Sequence, residues 1–184
     1  MVTLLLELDP FQRATLYVSL HTYLKFLAEG SEAPYEVLNF FESLGVNLPH
    51  KISHPEGEYL KNFRAGDHRH DLHPIMRAHL VNHIAAFYRS KGYEVEEPAD
   101  SLAAMTAFAA RLAIDAYFAQ FKNPDMFSVL ERSLHRFAAT HLIPALRCVS
   151  LPGTLVAYAV QSMTRLLEED LKTLSREICG GAVA

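Results

Sequence analysis

Apolar positions along this chain recur at three- and four-residue spacings and rarely alternate with polar ones, so the pattern predicts helices and no sheet. Leu16, Leu20, Tyr23, Leu24 and Leu27 form one such stripe. Asp9-Pro10-Phe11-Gln12 opens it with an Asp cap, Pro in the first turn and Gln three residues after the cap, and Gly30 ends it. A second helix is predicted from Pro34 to Leu44, stopping at Gly45, and a short one from Glu56 to Arg64, ending at Gly66. Pro74 starts a helix that carries Ile75, Leu80, Ile84 and Phe87 and stops at Gly92. After a loop, Asp100 or Ser101 caps a long apolar helix from Leu102 to Phe121. Asn123-Pro124 closes that helix and opens another, from Asp125 to about His141. Pro144 stands inside an otherwise helical pattern, where its ring predicts a break or kink near His141. The last helix is predicted from Thr154 to Ile178, ending at Gly180-Gly181. With no repeat and no linker, residues 1–184 read as one all-α domain, a bundle of about seven helices.

Composition narrows the function classes. Half of the 184 residues are apolar and 21% are charged, which suits a single well-filled core. The net charge of −4, with no Lys/Arg cluster, argues against nucleic acid as a partner. The N-terminal stretch has no positive region and no small-residue cleavage site, so it does not read as a secretory leader. The longest apolar run, Leu102 to Phe121, is interrupted by Arg111 and Asp115, so no stable membrane insertion is expected. Cys148 and Cys179 stand apart, outside any C-x-x-C, which fits a reducing cytoplasm.

Three features could carry chemistry. The first is the stretch His68-Arg69-His70-Asp71-Leu72-His73, followed by His79 and His83 at i, i+4 on a helix. Such imidazoles can share a metal, but the stretch lacks H-E-x-x-H and a nearby cysteine, so no metal site is expected. The second is His70-Asp71, which resembles the dipeptide of all-α HD-type metal phosphohydrolases. That resemblance is the alternative functional reading, although here the pair precedes a Pro-started helix instead of lying on one. The third is Gly92 to Ser101, with four acids and no base, leading into Leu102, Met105, Phe108 and Leu112 on one helical stripe. Acid beside apolar surface suits a peptide that is basic and hydrophobic; a solvated loop before a core helix is the plainer reading. No nucleophile elbow or phosphate loop is present, so no catalytic residues are expected.

Read with its neighbours, the third feature resembles the central signature of the TorD/DmsD/NarJ-like chaperones. The matching residues are Tyr88, Gly92 and Tyr93, then Glu97-Pro98-Ala99-Asp100-Ser101-Leu102, then Phe108 and Leu112. Phe137, His141-Leu142-Ile143-Pro144 is similar to a second family stretch, and Phe63-Arg64-Ala65-Gly66 to a third. Arg13 and Tyr17 fit the first helix loosely. Ser101 stands where many members have His, Ala145 where they have Trp, and His73-Pro74-Ile75-Met76 replaces their Pro-x-Glu-Ser. The resemblance implies a cytoplasmic, non-catalytic chaperone for a molybdenum-containing reductase. Its partners would be the apo-reductase catalytic subunit and that subunit's twin-arginine signal peptide or N-terminal tail, bound before cofactor insertion and export, with no cofactor of its own, as monomer or homodimer. It also implies a peptide site at Glu97, Pro98, Asp100, Ser101, Leu102 and Met105.

Overall fold

A computed structural model describes residues 7–180. The N-terminal stretch read for a leader, the expected stop at Gly181 and the side chain of Cys179 lie outside the described residues. Among the described residues the chain is helical, without a strand. The helices are α1 (Pro10–Ala28), α2 (Tyr35–Ser43), α3 (His54–Asn62), α4 (Ala65–His68), α5 (Pro74–Ser90), α6 (Leu102–Ala119), α7 (Pro124–Phe137), α8 (Ile143–Arg147) and α9 (Leu155–Gly180). The helices expected from the pattern are all present, and α4 and α8 are added short turns.

The local signals work as the sequence chemistry requires. Gln12 N–H donates to Asp9 Oδ1 at 2.8 Å, and Asp9 N–H donates back to Gln12 Oε1 at 3.1 Å, closing a capping box on α1. Asn123 Oδ1 accepts from Met126 N–H at 3.1 Å to cap α7. At the C-terminus of α1, Gly30 adopts φ +71°, and Ser31 N–H reaches Phe26 C=O at 2.9 Å. This six-to-one bond satisfies a carbonyl that the helix end leaves open.

The core is built around α6, which packs chiefly against α1 on one side and α7 on the other. Eight of its eighteen residues are alanine, so neighbouring backbones approach closely. Its longer side chains fill what remains: Met105, Phe108 and Leu112 are almost wholly buried. Phe108 lies 4.5 Å from the Tyr88 ring and 4.8 Å from the Phe137 ring, joining α5, α6 and α7 in one aromatic cluster. By length and hydropathy alone α6 could cross a membrane, but just over half of it is buried inside this protein. It is the core helix of the bundle.

Two boundaries differ from expectation. Pro144 does not end the helical path: α7 runs into a π-helical turn, Ala138–Leu142, and then into α8 with helical backbone throughout. Ile143 N–H bonds back to Ala138 C=O, five residues away. One inserted residue shifts the register, so the missing N–H and the bulk of Pro144 are absorbed by widening the turn instead of breaking it. Likewise α3 stops at Asn62. Phe63 and Arg64 are extended, and Gly66 sits inside the short α4 instead of terminating a helix. The reason lies in Asp100, which holds this segment from across the fold.

Candidate peptide-binding groove

The residues before α6 are strapped to the residues after α3. Arg64 and Ser101 form an isolated antiparallel bridge. Ala65 N–H donates to the Asp100 carbonyl at 3.0 Å, and Gly66 N–H to Asp100 Oδ2 at 2.9 Å. A Cβ at position 66 would stand 3.1 Å from that carboxylate oxygen, so the bare glycine lets the strap close without displacing the carboxylate. Tyr88 hydroxyl donates to Ala99 C=O at 2.7 Å from the α5 side. Ser101 Oγ accepts from Ala104 N–H at 3.1 Å and caps α6, which settles the cap in favour of Ser101 over Asp100.

This strap forms one wall of a groove of about 660 Å³. The other walls are the outer face of α1, the end of α3 and the loop Tyr93–Pro98. Leu24, Leu60, Val95, Leu102, Ala104 and Ala107 supply an apolar floor. Glu29, Glu94, Glu96 and Glu97 share its lining with Lys25, Lys61 and Arg64. The acidic run seen in the sequence is therefore largely balanced by bases from α1 and the end of α3. His21 also lines the groove, with Nδ1 2.9 Å from Thr106 Oγ1. Burial holds its pKa below the usual histidine range, Lys25 adds to the fall and Glu97 opposes it.

The six residues expected at the site divide. Glu97 and Pro98 are exposed on the rim, and Ser101 and Leu102 line the wall and floor. Asp100 is only 2% exposed and faces a neighbouring cleft, with Arg64 Nε 3.9 Å from Oδ1. It positions the strap and does not line the groove. Met105 has no exposed surface and belongs to the core. His141 and Leu142 of the second stretch are buried in the π turn. There, burial, reinforced by His83, Arg69 and Arg136, lowers the His141 pKa to about 4.

The histidine-rich stretch is dispersed. His68 stacks on Phe63 at 4.6 Å, and Asp71 is taken by Arg69 through two bonds of 2.7 and 2.8 Å. That pairing holds the Asp71 pKa below the usual carboxylate range. Among the described residues no three His, Cys, Asp or Glu side chains are grouped to hold a metal ion. No family model matches the chain, and no curated protein matches it.

Sequence reasoning gave little weight to Arg13, the hub of a buried ion cluster. Its Nε donates to Asp170 Oδ1 at 2.9 Å, Nη1 to Glu131 Oε1 at 3.0 Å and Nη2 to Glu177 Oε2 at 3.3 Å. One guanidinium thus ties α1 to α7 and α9 and faces three carboxylates. Burial pushes the Glu131 pKa up to about 7; Arg13 opposes the rise, and Glu177 and Asp170 add to it. The available signal was phase: Arg13 falls on the same stripe as Leu16, Tyr17 and Leu20, and Asp170 on that of Leu166, Leu167 and Leu174. A charge in register with a buried stripe needs a buried partner.

Proposed function

We propose that this chain is a cytoplasmic, non-catalytic chaperone of the TorD/DmsD/NarJ-like type. In this reading it holds the twin-arginine signal peptide of an apo-reductase until the molybdenum cofactor has been inserted. One observation carries the reading: Glu97, Pro98 and Leu102, which match the family's central motif, lie together with Ser101, which replaces its His, on a single apolar-floored groove. An extended or helical leader would lay its hydrophobic run over Leu24, Leu60 and Leu102, with its polar residues at the charged rim. Burying three or four Leu-class side chains contributes ~1.5–3 kcal/mol each. Ordering the peptide opposes this by ~2–5 kcal/mol or more. The net is compatible with roughly micromolar binding, about −8 kcal/mol.

Calorimetry against the twin-arginine leader of a reductase encoded beside this chain tests the proposal. Micromolar binding that is lost in Ala103→Tyr, which fills the groove from an exposed position on α6, is the expected result. A folded sample that binds neither the leader nor the mature apo-subunit would refute it.

A further inference from the structure

On the side of α5 away from the strap lies a cleft of about 460 Å³ between α5 and α7. His83, Phe87 and Lys91 line it from α5, and Arg132, Ser133 and Arg136 from α7. No carboxylate lines it. This is unusual for a chain of net charge −4, in which acids outnumber Lys and Arg by 21 to 17. The three cations are also uncommitted. Among the described residues Lys91 and Arg136 have no ion pair, and the only bond from Arg132 runs from Nε to Ser128 C=O at 3.1 Å.

Arg132 and Arg136 stand one helical turn apart, so both guanidinium groups reach the same side of α7, with Lys91 across from them at the end of α5. Like charges gathered without a counter-charge repel one another, and a bound anion removes that repulsion. A planar guanidinium offers paired N–H donors that match two oxygens of a phosphoryl group, and the lysine adds a point charge. The three cations of the cleft suit a ligand of comparable negative charge. His83 also lies 5.1 Å from the buried His141 ring, whose pKa is lowered by burial first, with His83, Arg69 and Arg136 adding to the fall.

We propose that the α5–α7 cleft is a binding site for a small diphosphate-class anion, with Lys91, Arg132 and Arg136 as its ligands. The proposal is independent of the chaperone reading, because the cleft shares no lining residue with the groove.

Calorimetry and phosphorus NMR with inorganic pyrophosphate, in low-chloride buffer, test it. Saturable one-to-one binding is expected, with inorganic phosphate weaker. Arg132→Gln and Arg136→Gln, both exposed positions, should each weaken it by about tenfold through loss of charge-assisted bonds. Arg111→Gln, an exposed arginine on α6 outside the cleft, should leave it unchanged. Failure to saturate at millimolar pyrophosphate would overturn the proposal. So would equal binding by the Arg132→Gln/Arg136→Gln double variant, or an equal loss in Arg111→Gln.

Discussion

Replacing Glu131 with Gln should change how stability depends on pH. Glu131 faces Arg13 from α1 and Asp170 and Glu177 from α9, with its side chain only 10% exposed. Burial raises its pKa from 4.5 to about 7. Between those values the folded chain holds a proton that the unfolded chain has released. Its contribution is therefore fully present below about 4.5 and is lost as pH rises through about 7. At 1.36 kcal/mol per pKa unit the loss is about 3 kcal/mol. Asp170, also raised by burial, acts in the same direction. His141 acts in the other: its pKa falls from 6.5 to about 4, so its contribution is present above 6.5 and is lost as pH falls through 4. His21 and His135, both lowered by burial, add to His141. The opposing groups make the wild-type profile flatter between about pH 4.5 and 6.5 than either side alone would. Glu131→Gln keeps an oxygen acceptor for Arg13 Nη1 but cannot titrate. Urea unfolding across this range should show the variant gaining on the wild type by about 3 kcal/mol as pH rises from 4.5 to 7.5. A difference constant to within about 0.5 kcal/mol would refute the reasoning.

Gly57→Ala should destabilise the protein by about 1–3 kcal/mol, because the new Cβ would lie 2.8 Å from the Leu27 carbonyl, a backbone atom that cannot swing aside. A lowered thermal midpoint reads this, and an unchanged one would mean that α3 can slide on α1. Met105→Glu should leave the chain unfolded or molten by circular dichroism, since it puts a carboxylate where no surface is exposed; a native-like spectrum with only peptide binding lost would place Met105 in the groove. Asp100→Ala should cost about 1–3 kcal/mol by leaving Gly66 N–H without its acceptor, whereas Asp100→Asn retains an oxygen there. Equal denaturation midpoints for the two variants would contradict the strap.

What could be read from the sequence was what depends on neighbours in the chain. The α1 capping box, the Ser101 cap and the glycine stops at Gly30, Gly45 and Gly92 involve residues within four or five positions of each other, and they form where the pattern predicts, whereas the stop expected at Gly66 does not. A disturbance of the helix near Pro144 was legible, but its form, a π turn with no break in the helical path, was not. A π turn is one of several ways to absorb a missing N–H, and the packing of Leu142 and Ile143 into the core selects among them. The strap was not readable either. Asp100 sits in an acidic, loop-like run, and its acceptor role depends on Gly66, 34 residues earlier. The Arg13 cluster spans 164 residues from Arg13 to Glu177. Phase could mark Arg13 and Asp170 as buried, but only the fold could pair them with each other, with Glu131 and with the half-exposed Glu177.

The same distinction changes what the groove would select. From the acidic run alone, a bound leader would be expected to owe its selectivity to arginine. Folding brings Lys25, Lys61 and Arg64 to the same rim as Glu29, Glu94, Glu96 and Glu97. An incoming arginine then meets attraction and repulsion of similar size, each about 1 kcal/mol at 4 Å in water. Charges more than about 8 Å away are largely screened at physiological salt. The apolar run over Leu24, Leu60 and Leu102 would carry the affinity, and apolar contact does not weaken as salt is added. Under the proposed function, leader affinity should therefore change less than about threefold between 50 and 300 mM salt, roughly the effect of one exposed ion pair. Replacing the leader's arginines with glutamines should cost no more than that, while replacing its leucines with serines should abolish binding. Calorimetry at the two salt concentrations checks this directly. A steep salt dependence, on the order of tenfold or more, would mean that the acids act together and that the bases of α1 and the end of α3 move away when the leader binds.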